Sequence, residues 1–226
     1  MENRVFFLPE HTPALSFAEK ILEKNGVEIR QEPGPGVTHM LLPVPSKERE
    51  IPADVTVIGG NLSWLPERFP RVDLLQDTQF VAENAALTAD CAVRLLGAQL
   101  QCAFRDCPVL ILGWGRIGKC LAAILKKLDA EVTVAARKPS DLGMLIALGY
   151  RAIPAENIDP RPYRAIINTA PAPVLGPGEG LRIDLASKKG IAGENVLWAR
   201  GLPGKMVPES NGKLIAQAVL RYLKEG

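Results

Sequence analysis

The sequence predicts an α/β chain made of two doubly wound parallel-sheet domains, the N-terminal one smaller. Three observations carry that expectation. Short apolar runs alternate with helical patterns along most of the 226 residues. A glycine-rich turn, Gly113 to Gly118, lies between an apolar run and an amphipathic stretch. The composition is 47% apolar and 23% charged with a formal charge of +2, enough apolar sequence for a real core. That balance argues against disorder and gives no support to a nucleic-acid or membrane-surface role.

In the first part of the chain, Arg4 to Leu8 reads as a strand. Pro13 to Lys24 places Leu15, Ala18, Ile21 and Leu22 at helical spacing and closes on Asn25-Gly26. Val27 to Ile29, His39 to Val44, Val55 to Ile58 and Val72 to Leu75 read as further strands. Phe80 to Phe104 holds no proline and one glycine, so one long helix or two abutting ones are expected. From this pattern, residues 1–83 form a smaller N-terminal α/β domain and 84–106 an interdomain helix.

Pro108 to Leu112 is a buried-strand run leading straight into the glycine turn. A helix with Ile117, Leu121, Ile124, Leu125 and Leu128 on one face follows, then a strand at Glu131 to Ala135. A helix over Asp141 to Leu148 comes next, with strands at Tyr150 to Ile153, Arg164 to Asn168, Leu181 to Leu185 and Val196 to Trp198. Residues 107–206 thus read as a dinucleotide-binding, Rossmann-like domain. Residues 207–226 read as a terminal part whose helix, Gly212 to Lys224, packs back on the first domain or on a partner chain, and a homo-oligomer is expected.

The motif Gly113-Trp114-Gly115-Arg116-Ile117-Gly118 has the strand and helix context that gives such glycines meaning. Gly113 permits the tight turn, Gly115 lets the backbone approach a pyrophosphate, and Gly118 lets helix and strand pack closely. The helix N-terminus offers free N–H groups to the phosphates. The next strand ends Ala135-Ala136-Arg137-Lys138-Pro139-Ser140, with no carboxylate before Asp141. An NAD site usually has an acid there, whereas Arg137, Lys138 and Ser140 suit a 2′-phosphate. The cofactor reading is therefore NADP, with NAD as the alternative. Asn168, Thr169, Ala170 and Pro171 end one strand on the ligand edge and are expected to face the nicotinamide ribose. Asp184, Leu185 and Ala186 end the next, Asp184 either as a ligand contact or as a loop cap.

Met1 to Arg4 leads only into Val5 to Leu8 before Pro9, too short for a signal-peptide core. No apolar run approaches the roughly 18 residues of a membrane span. Cys91, Cys102, Cys107 and Cys120 contain no Cys-x-x-Cys, so neither a zinc site nor a disulfide framework is expected. A cytoplasmic protein with reduced thiols and no metal fits these features.

Gly113 to Gly118, Ala136-Arg137, Asn168-Thr169-x-Pro171, Asp184-Leu185-Ala186-Ser187 and Gly201-Leu202-Pro203-Gly204-Lys205 occur in an order that resembles the A subunit of bacterial dipicolinate synthase. Asn84 to Asp90 and His39 to Val44 are similar to that family's sequence as well. The resemblance implies an architecture like that of the D-2-hydroxyacid dehydrogenases. It also implies NADP-linked oxidation of dihydrodipicolinate to dipicolinate during sporulation, alongside a flavoprotein-like second subunit. A small dicarboxylate substrate needs cationic or N–H partners, for which Thr88, Arg116, Ser187 and Lys205 are candidates by position, and Arg94 more weakly. Asp90 and Ser187 are the candidate catalytic residues. The chain departs from the family at Asp90-Cys91, where Glu-Gly is usual, and at Pro9-Glu10-His11, where a glycine-rich turn is expected.

Two other functions compete. A D-2-hydroxyacid dehydrogenase needs a histidine acid/base, yet the two histidines are His11 and His39, both in the first domain. A non-catalytic nucleotide-binding or regulatory subunit needs only the cofactor domain, since a fold does not fix a function.

Overall fold

The computed structural model describes residues 4–225, so Met1 to Asn3 of the short leader reading lie outside the described residues. The chain divides into two compact units. One takes the chain as far as Leu87 together with the segment from Pro203 onward, and the other is Thr88–Leu202.

The first unit starts with β1 (Val5–Phe7), α1 (Pro13–Lys24) and β2 (Glu28–Arg30). It continues with β3 (His39–Leu41), β4 (Thr56–Gly59), β5 (Arg71–Asp73) and α2 (Thr78–Gln99). The strands form one parallel sheet in the order β2-β1-β3-β4-β5. Alternation along the strands sends side chains to both faces. Phe6, Leu41 and Ile58 join Leu15, Ala18 and Leu22 of α1 in one cluster. Phe7, Met40 and Val57 join Leu62, Leu65 and Phe69 in another. Pro13 opens α1 beside Thr12, whose Oγ1 accepts from Leu15 N–H at 3.2 Å. β3 stops at Leu41, short of the expected Val44, because Pro43 and Pro45 have no N–H for a ladder.

α2 begins at Thr78, two residues earlier than expected. Asp77 Oδ1 accepts from the N–H groups of Gln79 and Phe80 at 2.8 and 3.0 Å and so serves as its cap. The helix runs unbroken to Gln99, and Phe104–Asp106 is a separate 3₁₀ turn. The division between the units falls inside this helix.

The second unit contains β6 (Pro108–Leu112), α3 (Arg116–Lys127), β7 (Glu131–Ala136), α4 (Pro139–Ala147) and β8 (Arg151–Pro154). β9 (Ala165–Asn168), β10 (Leu181–Asp184) and β11 (Val196–Trp198) complete it. Its six parallel strands run β11-β10-β9-β6-β7-β8, the doubly wound order of dinucleotide-binding domains. Leu110, Leu112, Ala135, Ile166 and Ile191 form the core on one face. α4 starts at Pro139, not Asp141, because a proline at the first helical position loses no intrahelical bond.

After a short helix, α5 (Leu202–Met206), the terminal α6 (Pro208–Glu225) belongs to the first unit. Leu214, Ile215, Ala218 and Val219 of α6 complete the core over α1. Gly212 is the close point of that packing, since a Cβ there would lie 2.3 Å from the Ala14 carbonyl oxygen.

Candidate cofactor site

The turn between β6 and α3 gives each glycine a different constraint. Gly113 has φ +104°, and a Cβ on it would lie 2.9 Å from Thr169 Oγ1. A Cβ on Gly118 would lie 2.3 Å from the Gly113 carbonyl oxygen, so the helix can approach the strand only without one. Gly115 is the opposite case. It caps α3 at φ −80°, and a Cβ there would meet nothing within 4 Å. The space above Gly115 is therefore open, and no side chain caps the helix. Its first N–H groups are left for an anion, a fit to the pyrophosphate of a dinucleotide.

A pocket of about 290 Å³ lies over this turn. It is lined by Gly113, Trp114 and Gly115, by Ala136, Arg137 and Lys138 at the end of β7, and by Thr169, Ala170 and Pro171 after β9. Arg137 and Lys138 are exposed and form no ion pair among the described residues. Asp141 also lines the pocket, a carboxylate that sequence reasoning set beyond the strand end. The local signal was Pro139, which starts α4 early and puts Asp141 in its first turn. Ala155, Ile158 and Val174 add an apolar wall that no motif announced. Arg116, Ile117 and Gly118 form the first turn of α3, and Ser140 is exposed on α4, all four outside the lining.

Trp114 is half-buried, edge-on to Tyr150 with centroids 5.6 Å apart, and Lys119 Nζ stands 5.8 Å over its ring. Burial raises the Tyr150 pKa.

Asn168 is placed differently from the expectation that it face the ribose. It is fully buried and absent from the lining. Its Nδ2 donates to Ala170 O and Asp184 Oδ1, both at 3.0 Å, and its Oδ1 accepts from Ala170 N–H at 2.9 Å. A buried amide with those partners shapes the Thr169-Ala170 loop from beneath. Asp184, also fully buried, resolves into a loop cap. Besides Asn168, it accepts from Ala186 N–H at 3.0 Å, Gly190 N–H at 2.7 Å and Ile191 N–H at 2.9 Å. Leu185 and Ala186 are buried beside it. Thr169 is both wall and brace, its Oγ1 donating to Leu112 O at 3.0 Å.

The remaining candidates are dispersed. Thr88 is buried on α2. Asp90 pairs with Arg94 one turn along the same helix at 2.8 Å. Ser187 is exposed after β10, and Lys205 is exposed on α5 in the first unit. All four cysteines are free. Burial and the neighbouring Cys102 push the Cys107 thiol up to about 11, and burial raises Cys91 as well. No group of three or more metal-ligating side chains occurs among the described residues, and no helix among them is long and apolar enough to cross a membrane.

No family model matches the chain. Among curated proteins, the dipicolinate synthase A subunit of Bacillus subtilis (strain 168) is 25% identical over 171 residues, 68% of this chain. The match spans 58% of that relative's length. Among solved structures, the dipicolinate synthase A subunit from Bacillus halodurans superposes with a TM-score of 0.80 at 22% identity, covering 99% of this chain and 98% of that one. Both kinds of neighbour point to the A subunit of dipicolinate synthase. A transhydrogenase from Sinorhizobium meliloti follows at TM-score 0.71 and 12% identity, over 98% and 94% of the two chains. The NAD-complexed D-isomer specific 2-hydroxyacid dehydrogenase from Lactobacillus delbrueckii ssp. bulgaricus has a TM-score of 0.52 at 12% identity, over 98% and 97%. The fold is thus an α/β, Rossmann-like one.

Proposed function

We propose that this chain is an NADP-dependent oxidoreductase that oxidises dihydrodipicolinate to dipicolinate, acting in the cytoplasm with a flavoprotein-like second subunit. The observation that carries the reading is the open space above Gly115 beside the unpaired cations Arg137 and Lys138. The N–H groups opening α3 hold the pyrophosphate, and the Gly113–Gly118 turn keeps side chains out of its way. Arg137 and Lys138, with Ser140, hold the 2′-phosphate by charge-assisted bonds. Thr169, Ala170 and Pro171 form the wall beyond, their loop shaped by Asn168 and Asp184. When bound, the cofactor supplies a nicotinamide C4 that accepts hydride. Arg116 and Ser187, both exposed in the second unit, are proposed contacts for a carboxylate of the substrate.

A second reading, a nucleotide-binding subunit without catalysis, draws on Asp90. Its carboxylate is paired to Arg94 on a half-exposed helix face.

The test is a titration of NADPH and NADH into the purified chain, following the fluorescence of Trp114 against Trp64 and Trp198. NADPH should bind at least tenfold more tightly, and Arg137→Ala should erase the difference. Equal affinities for the two would overturn the NADP assignment. Turnover of dihydrodipicolinate with NADP, with and without the second subunit, separates the enzyme from the silent form.

A further inference from the structure

The order of the first sheet, β2-β1-β3-β4-β5, reverses between β1 and β3. The chain leaves β1 toward β2 on one side, then builds β3, β4 and β5 on the other. Loops leaving the carboxyl ends of β1 and β3 therefore diverge, and sheets of this order take a ligand in the crevice between them. These two loops contribute Glu10 and His11 after β1, and Arg49 after β3. Arg49 Nη2 donates to Glu10 Oε2 across the switch point.

The loop after β1 is not built for a phosphate. Leu8-Pro9-Glu10-His11-Thr12-Pro13 contains no glycine, and Glu10 places a carboxylate there. Thr12 Oγ1 already accepts from Leu15 N–H, and Pro13 has no N–H to donate. Arg49 is the group with capacity left over. Its guanidinium carries five N–H donors, and among the described residues only the Nη2 group has a partner. Its Nε is buried with no hydrogen-bond partner, a state native structures rarely keep without a reason. The segment that carries Arg49 is held in place upstream. Buried Ser46 donates to the Gly60 carbonyl from both its N–H, at 2.7 Å, and its Oγ, at 2.8 Å. Beside Glu10, the His11 side chain is 48% exposed, with its Nδ1 3.7 Å from Glu19 Oε2. Glu19 is itself held by Gln31 Nε2 at 2.9 Å.

We infer that the switch point of the first sheet is a carboxylate-binding site. Arg49 grips one carboxylate of a small organic acid through its terminal Nη groups, Glu10 positions the guanidinium, and His11 borders the ligand. The proposed function enters only in naming the acid, since the recognition itself rests on residues of the first unit.

Dipicolinate titrated into the full chain tests this by calorimetry and by NMR of the imidazole signals. The chain has two histidines, and His39, 7% exposed and stacked on Phe6, is the internal reference. The His11 signals should move to saturation while those of His39 stay. Arg49→Gln should weaken dipicolinate binding at least tenfold and Arg49→Lys less, with NADPH quenching unchanged in both. Wild-type-like binding by Arg49→Gln overturns the inference. So does loss of binding in Arg116→Gln or Lys205→Gln but not in Arg49→Gln, or a wild-type chain that binds no dipicolinate. Binding of dipicolinate without binding of NADPH would remove the cofactor reading and leave this site standing. Should Arg49→Gln fail to fold, Arg49→Lys and the wild-type His11 shift still decide.

Discussion

Gly115 and Gly118 are three residues apart in one motif and should respond oppositely to substitution. Gly115→Val adds a side chain where nothing lies within 4 Å, so the fold should persist while NADPH binding is lost. Gly118→Ala puts a methyl 2.3 Å from a backbone oxygen and should cost about 1–3 kcal/mol of stability. Thermal melts and the fluorescence titration together separate the two effects. Unchanged NADPH affinity in Gly115→Val would place the pyrophosphate elsewhere. His39 is the second residue with a clear consequence. It stacks on Phe6 at 4.7 Å, its Nδ1 lies 2.8 Å from Thr38 Oγ1, and Tyr222 meets it edge-on. Burial, with the nearby Arg4 cation, lowers its pKa below the ordinary 6.5. The unfolded chain then binds the proton more readily than the folded one, so this contribution is complete above pH 6.5 and is lost as pH falls through the folded pKa. Melts of the wild type should therefore lose stability below pH 6.5, and His39→Phe should remove that part of the slope.

Elements were legible where their signals are local. α1 has the expected limits, Pro13 to Lys24, because its proline, threonine cap and closing Asn25-Gly26 all act within a few residues. α2, α4 and α6 start earlier than their apolar periodicity suggested. Their starts are set by Asp77, Pro139 and Pro208, groups that stand ahead of the first apolar position. Nothing local announced that α6 would cross α1 at Gly212. A methyl there should force the two helices apart, because the Ala14 oxygen and Phe17 Cβ stand 2.3 and 2.6 Å from its position. Gly212→Ala is expected to cost about 1–3 kcal/mol, read from urea unfolding. A neutral result would mean that the crossing relaxes freely.

At the scale of the whole molecule, the two units have different strand orders, which reverse at β1/β3 in one sheet and at β6/β9 in the other. A ligand that binds only the native form stabilises it by about 2.7 kcal/mol at one hundred times its Kd. NADPH at that level should raise hydrogen-exchange protection in β6 and α3 of the second unit and leave β1 and α1 of the first unchanged. Protection gained in β1 would contradict a cofactor site confined to Thr88–Leu202.

Periodicity, turn glycines and proline positions were enough to determine an α/β chain, the glycine turn between β6 and α3 and the basic end of β7. These depend on sterics and spacing within a few residues. Strand order, the fully buried hydrogen bonds of Asn168 and Asp184, the place of Asp141 on the pocket wall and the meeting of Glu10 with Arg49 came only from the tertiary structure. Each joins groups far apart in the chain or depends on where a helix begins. Burial and pairing between such groups are properties of packing, and no residue carries them alone.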